Sequence, residues 1–432
     1  MSTSTDPDTG LAVTVWPGLT PRLLRTEPGP EDLEQYRDAG GYRASDDPAA
    51  LLDAVDRAGL VGRGGAAFPL ATKLRTVRAA HLAGRDTVLV ANGEEGEPAS
   101  IKDRWLLRNR PHLVLDGLRL AARVIGAAHA HVYVSDAAAA AAVQHALHEP
   151  GTALDGVTVS VFKVTPGYVA GEETAAVRAI NGGPAKPTDK PPRPFESGVG
   201  GLPTMISNVE TLANLPYIHA HGADRYRSVG TDSSPGTFLA TVNAAGMPTG
   251  LYELPFGVGL ADLLTAHGVS PERVRGVLMG GYFAGLFNPD VLVLSLDHET
   301  LRDAGTGLGC GALSVLIDEC PVAVAASVLS YFDRENAGQC GSCFNGTAAM
   351  AAATGALRDG IATAEDLARL QRWSVVLRGR GACGTLDGAT NVAGSIVAQF
   401  PDEVTRHLDN ACPDCATAAY TAQRPFEVES IA

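Results

Sequence analysis

Aromatic residues make up only 6% of this 432-residue chain, and Lys and Arg nowhere form a run. A nucleic-acid-binding domain usually carries a basic footprint; here the formal net charge is −14. No window approaches the ~20 consecutive apolar residues that a membrane span needs. The first residues, MSTSTDPDTG, hold neither the basic nor the apolar region of a secretory signal. A cytoplasmic location is the expectation. The G-x-x-x-x-G-K-S/T pattern is absent, so phosphate-loop nucleotide hydrolysis has no support. An apolar content of 45%, rich in Ala and Gly, leaves ample core for two to four domains. Seven cysteines in a long chain of this kind argue for metal binding or redox chemistry over disulfides.

Two loops carry the chemistry. Gly62-Arg63-Gly64-Gly65-Ala66-Ala67-Phe68-Pro69 is side-chain-poor backbone beside one positive charge, a combination suited to a phosphate. Ala91-Asn92-Gly93-Glu94-Glu95-Gly96-Glu97-Pro98 packs carboxylates next to an amide, which suits hydroxyls and ring nitrogens. Together they describe a pocket for a nucleotide or a flavin.

The pattern along the chain predicts an α/β layer fold. Residues 1–45 read as a polar arm with little regular structure. Asp47 as N-cap, Pro48 at the first position and Gly59 past the end define a helix over 48–58. A second helix is expected over 69–83. Strands over 87–90, 129–134 and 157–164 alternate with helices over 105–125 and 136–148. The acidic loop thus starts where a strand ends, the place where open α/β sheets bind ligands. Residues 182–206 read as a long functional loop, and a helix over 208–219 follows. The domains expected are 46–228 (α/β), 235–316 (short strands such as 238–242 and 276–279, with a helix over 260–267), 321–410 (about four helices) and a tail, 411–432, with a C-x2-C pair.

Cys340 and Cys343 form one C-x2-C pair, Cys412 and Cys415 another, and Cys383 stands alone between them. Cys310 and Cys320, beside apolar segments, read as inert buried thiols. Two arrangements compete: a four-thiolate zinc site from both pairs, or an iron–sulfur cluster on Cys340, Cys343 and Cys383 with the last pair separate. Gly379-Arg380-Gly381-Ala382-Cys383-Gly384 matches G-x-G-x-x-G after a strand-like stretch, 374–377, with Glu403 near the acidic position. Too little chain follows to complete a βαβ unit, so this match is rejected. Gly305 to Gly309 is rejected for want of a following helix.

At this point the chain resembles the NADH-binding flavoprotein subunit of respiratory complex I and its relatives in NAD-linked hydrogenases and formate dehydrogenases. The likeness runs from about Leu60 to about Gln399. Its carriers are Gly62 to Phe68 with Lys73, ANGEEGEPASIKDR (91–104), YVAGEETA (168–175), 183–190 and PTMISNVET (203–211). The resemblance implies an FMN-binding α/β domain, a β-grasp soluble-ligand-binding module and a C-terminal helical iron–sulfur bundle. It implies FMN lined by Gly62, Arg63, Gly64, Gly65, Lys73, Asn92, Glu94, Glu95, Tyr168, Gly171, Glu172, Ser207 and Asn208. NADH would meet Phe68, Lys73, Glu97 and Glu173. Carboxylates on ribose hydroxyls would repel a 2′-phosphate and so favour NADH over NADPH.

The implied activity is hydride transfer from NADH to FMN, with no acid–base side chain required. Single electrons would then pass to an iron–sulfur cluster, 4Fe-4S in kind, and to a ferredoxin-like or other iron–sulfur partner subunit, with attachment to a membrane complex only through partners. The family's cluster motif has a cysteine where this chain has Ala337, in Glu335-Asn336-Ala337-Gly338-Gln339-Cys340-Gly341-Ser342-Cys343. That leaves Cys340, Cys343 and Cys383 as metal ligands. Glu94 stands for an Asp, Ser207 for an Asn, Arg193 for an adenine-packing Phe and Thr76 for another aromatic. Of these, Ala337, Arg193 and Thr76 favour the alternative, a non-catalytic scaffold or binding subunit with a structural zinc on its cysteines.

Overall fold

Four strands, Val88–Asn92, His129–Val134, Thr158–Lys163 and Thr204–Asn208, pair in parallel to form one sheet. Their spatial order is 158–163, 129–134, 88–92, 204–208. Val88, Leu89, Val90 and Ala91 are all buried, as expected where helices cover both faces of a parallel sheet. The computed structural model describes all residues except 1, 6–9, 26, 28, 46, 411, 413 and 416–432. Of the expected tail, 411–432, only residues 412, 414 and 415 fall among those described. No helix among the described residues is long and apolar enough to cross a membrane.

The chain divides into two units. The first comprises Met1–Gly96, Ile101–Ala240 and Leu251–Gly257. Here the helix Pro48–Ala58 starts at the Asp47 cap, whose carboxylate accepts from Ala49 and Ala50 N–H, and stops at left-handed Gly59. The expected helix over 105–125 is two helices, Lys102–Asn109 and Pro111–Ile125. Pro111 cannot donate a backbone hydrogen bond, and Arg110 before it leaves helical geometry. The second of these helices is buried on nearly every side, so it forms core rather than surface. The expected helix over 208–219 is likewise split into Val209–Ala213 and Leu215–Arg227.

The polar arm is a correction. Ala12–Val15 is a strand paired with Ser2–Thr5, and Leu33–Asp38 is a helix closed by an Asp32–Gln35 capping box. Buried Glu253 holds the segment by accepting from the N–H groups of Arg22, Leu23 and Leu24. Arg110 pairs with Glu31 at 3.0 Å, and Tyr36 donates to Asp116 at 2.7 Å.

The second unit comprises Glu97–Ser100, Thr241–Gly250 and Val258–Ala432. Residues 241–244 run parallel to 312–315; Gly276–Met279 lies antiparallel to 313–316 and to Leu286–Phe287. Five helices follow: Pro321–Glu335, Gly341–Arg358, Ala364–Val376, Thr385–Gln399 and Pro401–Leu408. The stretch 374–377 read as strand-like belongs to the end of the third helix. This removes the last support for a dinucleotide fingerprint at Gly379.

Candidate functional site

In the first unit, the carboxyl ends of two neighbouring strands set Asn92 opposite Asn208. Asn208 caps the helix Val209–Ala213 through its Oδ1, and its Nδ2 donates to Asp103 at 2.7 Å. Asn92 accepts from Glu94 N–H and donates to Gly171 O at 2.8 Å. One amide therefore joins the acidic loop to the YVAGEETA segment. The backbones come close: a Cβ on Gly171 would lie 3.0 Å from Glu94 O, and one on Gly96 would lie 2.6 Å from Gly167 O.

The glycine-rich loop closes on itself through a Val61–Pro69 bridge and a Gly62 N–H bond to Phe68 O. Gly65 (φ 110°) and Ala67 (φ 47°) take left-handed backbone to make the turn. Gly64, Gly65 and Ala66 are exposed. Gly64 stands against Asn208; an added Cβ would lie 3.2 Å from the Asn208 Cβ.

Arg63, the loop's one positive charge, points into the protein. Its side chain is buried, donating to Val61 O, Tyr226 Oη and Thr237 O at 2.9–3.1 Å. Its guanidinium lies 4.7 Å from the Phe256 ring centre. Lys73 Nζ donates to Ile206 O at 3.0 Å and sits 6.0 Å from the Phe68 ring centre. Burial lowers the Lys73 pKa, with Glu173 acting against it. The Phe68 ring is 45% exposed, an open apolar face.

The carboxylates have different fates. Glu94 is buried, accepts from Gly167 N–H, and keeps one oxygen, Oε2, without a hydrogen-bond partner among the described residues. Burial pushes its pKa up to about 7. Glu95 instead caps the helix Lys102–Asn109, accepting from the N–H groups of Asp103 and Arg104. Glu172 caps the helix Glu173–Ile180, and Lys190 bridges Glu172 and Glu173 at 2.8 and 3.0 Å. Tyr168 is half-buried and Ser207 buried. Glu97 belongs to the second unit, where its carboxylate accepts from Tyr282 and Ala99 N–H.

Beneath these loops lies a charge cluster that sequence reasoning did not assemble. Lys102 Nζ lies 2.8 Å from Asp103 and 3.0 Å from Glu210, all buried. Glu210 also accepts from Leu239 N–H and faces Arg63 at 4.0 Å. Burial opposes the Lys102 charge, but Asp103 and Glu210 outweigh it and raise its pKa. Lys102 and Asp103 sit inside the ANGEEGEPASIKDR stretch; only Glu210, far along the chain, reveals their role.

In the second unit, Cys340 precedes the helix Gly341–Arg358, Cys343 lies in its first turn, and Cys383 lies just before Thr385–Gln399. Ser342 Oγ donates to Arg380 O at 2.6 Å, tying the Cys383 loop to that turn. Burial, then Cys383 and Cys340, push the Cys343 thiol up to about 12. The last C-x2-C pair groups elsewhere, with Cys320 and His407. The zinc site expected from both pairs is therefore not assembled, and Cys320, expected to be a buried thiol, is buried and lies in this group. His407 carried no sequence signal beyond its place five residues before Cys412.

An open parallel sheet with a glycine loop and polar groups at its carboxyl edge, followed by a helical region with clustered thiols, defines a cofactor-binding redox protein. Residues 55–217 match the Nuo51 FMN-binding domain, and residues 323–407 match the NADH-ubiquinone oxidoreductase-F iron-sulfur binding region. The F 2 subunit of NADH-quinone oxidoreductase in Rhizobium meliloti is 32% identical over 91% of this chain and 99% of its own length. The corresponding F subunit of Mycobacterium bovis is 32% identical over 91% of this chain and 95% of its own. A crystal structure of an NAD+-reducing NiFe-hydrogenase in the H2-reduced state is similar at TM-score 0.75 and 34% identity, over 84% of this chain. This chain spans 63% of that hydrogenase chain. The protein belongs to the family of the NADH-quinone oxidoreductase F subunits.

Proposed function

We propose that this chain oxidises NADH on FMN and passes the electrons to an iron–sulfur cluster and then to an iron–sulfur partner subunit. The observation that carries this reading is the strand-end junction: exposed Gly64 backbone against Asn208, with the unpartnered buried Glu94 Oε2 on the adjoining loop. Backbone N–H groups in the first place fit the phosphate of FMN. An acceptor lacking a partner in the second fits a flavin or ribityl donor. The chain's residues therefore fit the group.

FMN, when bound, accepts a hydride and gives up its electrons singly. The protein contributes binding and position. Gly64 and Gly65 would cradle the phosphate with their backbone; Gly62 and Arg63 would shape that loop, their N–H groups donating to Phe68 O and Thr211 Oγ1; Asn92, Glu94, Gly171, Ser207 and Asn208 would hold the polar edge. Glu95 and Glu172 act by fixing helix starts, and Tyr168 lines the same loop. Phe68 offers a flat face for a ring of NADH, beside Lys73. Glu173, in the same unit as Phe68 and Lys73, is assigned to NADH ribose, where its charge disfavours a 2′-phosphate.

Cys340, Cys343 and Cys383 are assigned to the cluster. Residues 235–316 are read as a β-grasp module, supported by the mixed strands and the helix Leu260–His267, and 321–410 as the iron–sulfur bundle. A reducing, cytoplasmic setting, which seven cysteines in a long chain favour, belongs to the same reading.

Anaerobic reconstitution of the full chain with FMN and iron tests the reading. Bound flavin absorbance bleached by NADH is expected. In Lys73→Ala, flavin or NADH binding weakens about tenfold, because the cation beside the ring is lost. Protein that stays colourless after reconstitution overturns it.

A further inference from the structure

We propose that Cys320, His407, Cys412 and Cys415 form a mononuclear, four-ligand zinc site, separate from Cys340, Cys343 and Cys383. One sulfur or nitrogen from each residue lies within 4.8 Å of all the others. His407 Nε2 is 3.5 Å from Cys320 Sγ and 3.3 Å from Cys415 Sγ, and Cys412 Sγ is 4.0 Å from Cys320 Sγ. A tetrahedral zinc with Zn–S near 2.3 Å separates its sulfurs by about 3.8 Å. The cluster already has that size. A two-iron cluster places a second metal between ligand pairs and spreads them further.

The imidazole is set up as a ligand. His407 Nδ1 lies 2.7 Å from Glu403 O. A carbonyl only accepts, so Nδ1 must carry the proton and the neutral ring turns its Nε2 lone pair towards the sulfurs. A second ring nitrogen bonded to a backbone carbonyl is the usual support of a metal-bound His. A simple disulfide would use two sulfurs and leave this lone pair and the third thiol unexplained.

The surroundings fit a closed structural site. Cys320 is the N-cap of the helix Pro321–Glu335 and is buried, as is His407. Arg275 bridges the three ligand-bearing segments: it bonds Asp318 O at 3.2 Å, Glu403 at 3.3 Å and Asp414 at 2.7 Å. Three thiolates and one imidazole on Zn²⁺ carry a net −1, and Arg275 supplies an opposing charge nearby. All four zinc positions come from protein, so the metal would fasten residues 412–415 and the helix Pro401–Leu408 to the start of Pro321–Glu335. It would do no chemistry.

Metal analysis of the purified full chain decides it. About one zinc per chain is expected, retained in Cys340→Ser/Cys343→Ser and lost in Cys412→Ser/Cys415→Ser. The flavin content of the second variant should be unchanged. Should that variant fail to fold, wild-type and Cys340→Ser/Cys343→Ser protein grown with cobalt supply the readout. Both should show the thiolate-to-cobalt charge-transfer absorption of a tetrahedral sulfur-rich site. Zinc that survives Cys412→Ser/Cys415→Ser, or zinc and cobalt absent from the Cys340→Ser/Cys343→Ser protein, overturns the proposal.

Discussion

Asn92 and Asn208 face each other as paired residues at the ends of parallel strands, and each joins a different pair of segments. Asn92 links the acidic loop to Gly171. Asn208 links the helix Val209–Ala213 to Asp103 and packs on Gly64. Two amides thus bring together four stretches of sequence, more than a hundred residues apart at the extremes. At that junction any side chain on residue 64 would meet Asn208.

In Gly64→Ala, the new Cβ would sit 3.2 Å from the Asn208 Cβ. The contact pushes the loop off Asn208, and small displacements of positioning groups are expensive. FMN affinity should fall about tenfold or more, while stability changes by less than about 1.5 kcal/mol. Flavin titration and thermal melting measure both. An unchanged affinity would show that the loop's exposed backbone does not hold the phosphate.

Arg63→Ala should behave in the opposite way. Its buried guanidinium serves Val61, Tyr226, Thr237 and Glu210. Its loss leaves Glu210 with Lys102 as its cation and the Leu239 N–H as its other donor, and breaking a buried pair costs about 3–5 kcal/mol. Denaturant unfolding should register that loss, and flavin affinity of the folded remainder should move less than about threefold. A large affinity change without lost stability would return Arg63 to the ligand.

Local rules made the helix 48–58 readable to the residue, because Asp47, Pro48 and Gly59 are all its own neighbours. The strand 129–134 was as clear from its apolar run. The first 45 residues were not, because Glu253, which holds Arg22 to Leu24, lies over 200 residues away. The loops were legible as chemistry, but not which of their side chains are tied into the fold. Position alone cannot separate Glu94, with an unpartnered oxygen, from Glu95, a helix cap. Nor could spacing join Cys320 to a pair more than 90 residues on.

Glu94→Gln tests the raised pKa. Folded apoprotein holds the Glu94 proton up to about pH 7, against an ordinary value of 4.5. This group therefore favours the folded state most below pH 4.5 and disfavours it increasingly as pH rises through 7. Above that window the cost approaches about 3 kcal/mol. Buried Asp103, raised by burial against the pull of Lys102, titrates in the same direction, so only the difference between variant and wild type is diagnostic. Apo Glu94→Gln should gain on wild type between pH 5 and 8, by up to about 3 kcal/mol. Parallel stability profiles would mean that Glu94 is not buried as charged.

Ala337→Cys tests the thiol group near Cys343. Cys340 and Cys343 flank the first turn of Gly341–Arg358, and the Ser342–Arg380 bond holds the Cys383 loop against it. Ala337 is half-buried three residues before Cys340. A thiol there completes a C-x2-C-x2-C run with Cys383 as the fourth ligand, the thiolate number a 4Fe–4S cluster takes. Iron and labile sulfide should rise towards about four of each per chain in this variant. In Cys343→Ser both should fall to background, since that thiol feels both Cys383 and Cys340. Paramagnetic resonance after NADH reduction would register the same change. Iron content equal in wild type, Ala337→Cys and Cys343→Ser would remove the cluster from these cysteines. Zinc content should stay constant across all three proteins, because Cys320, His407, Cys412 and Cys415 form their own group.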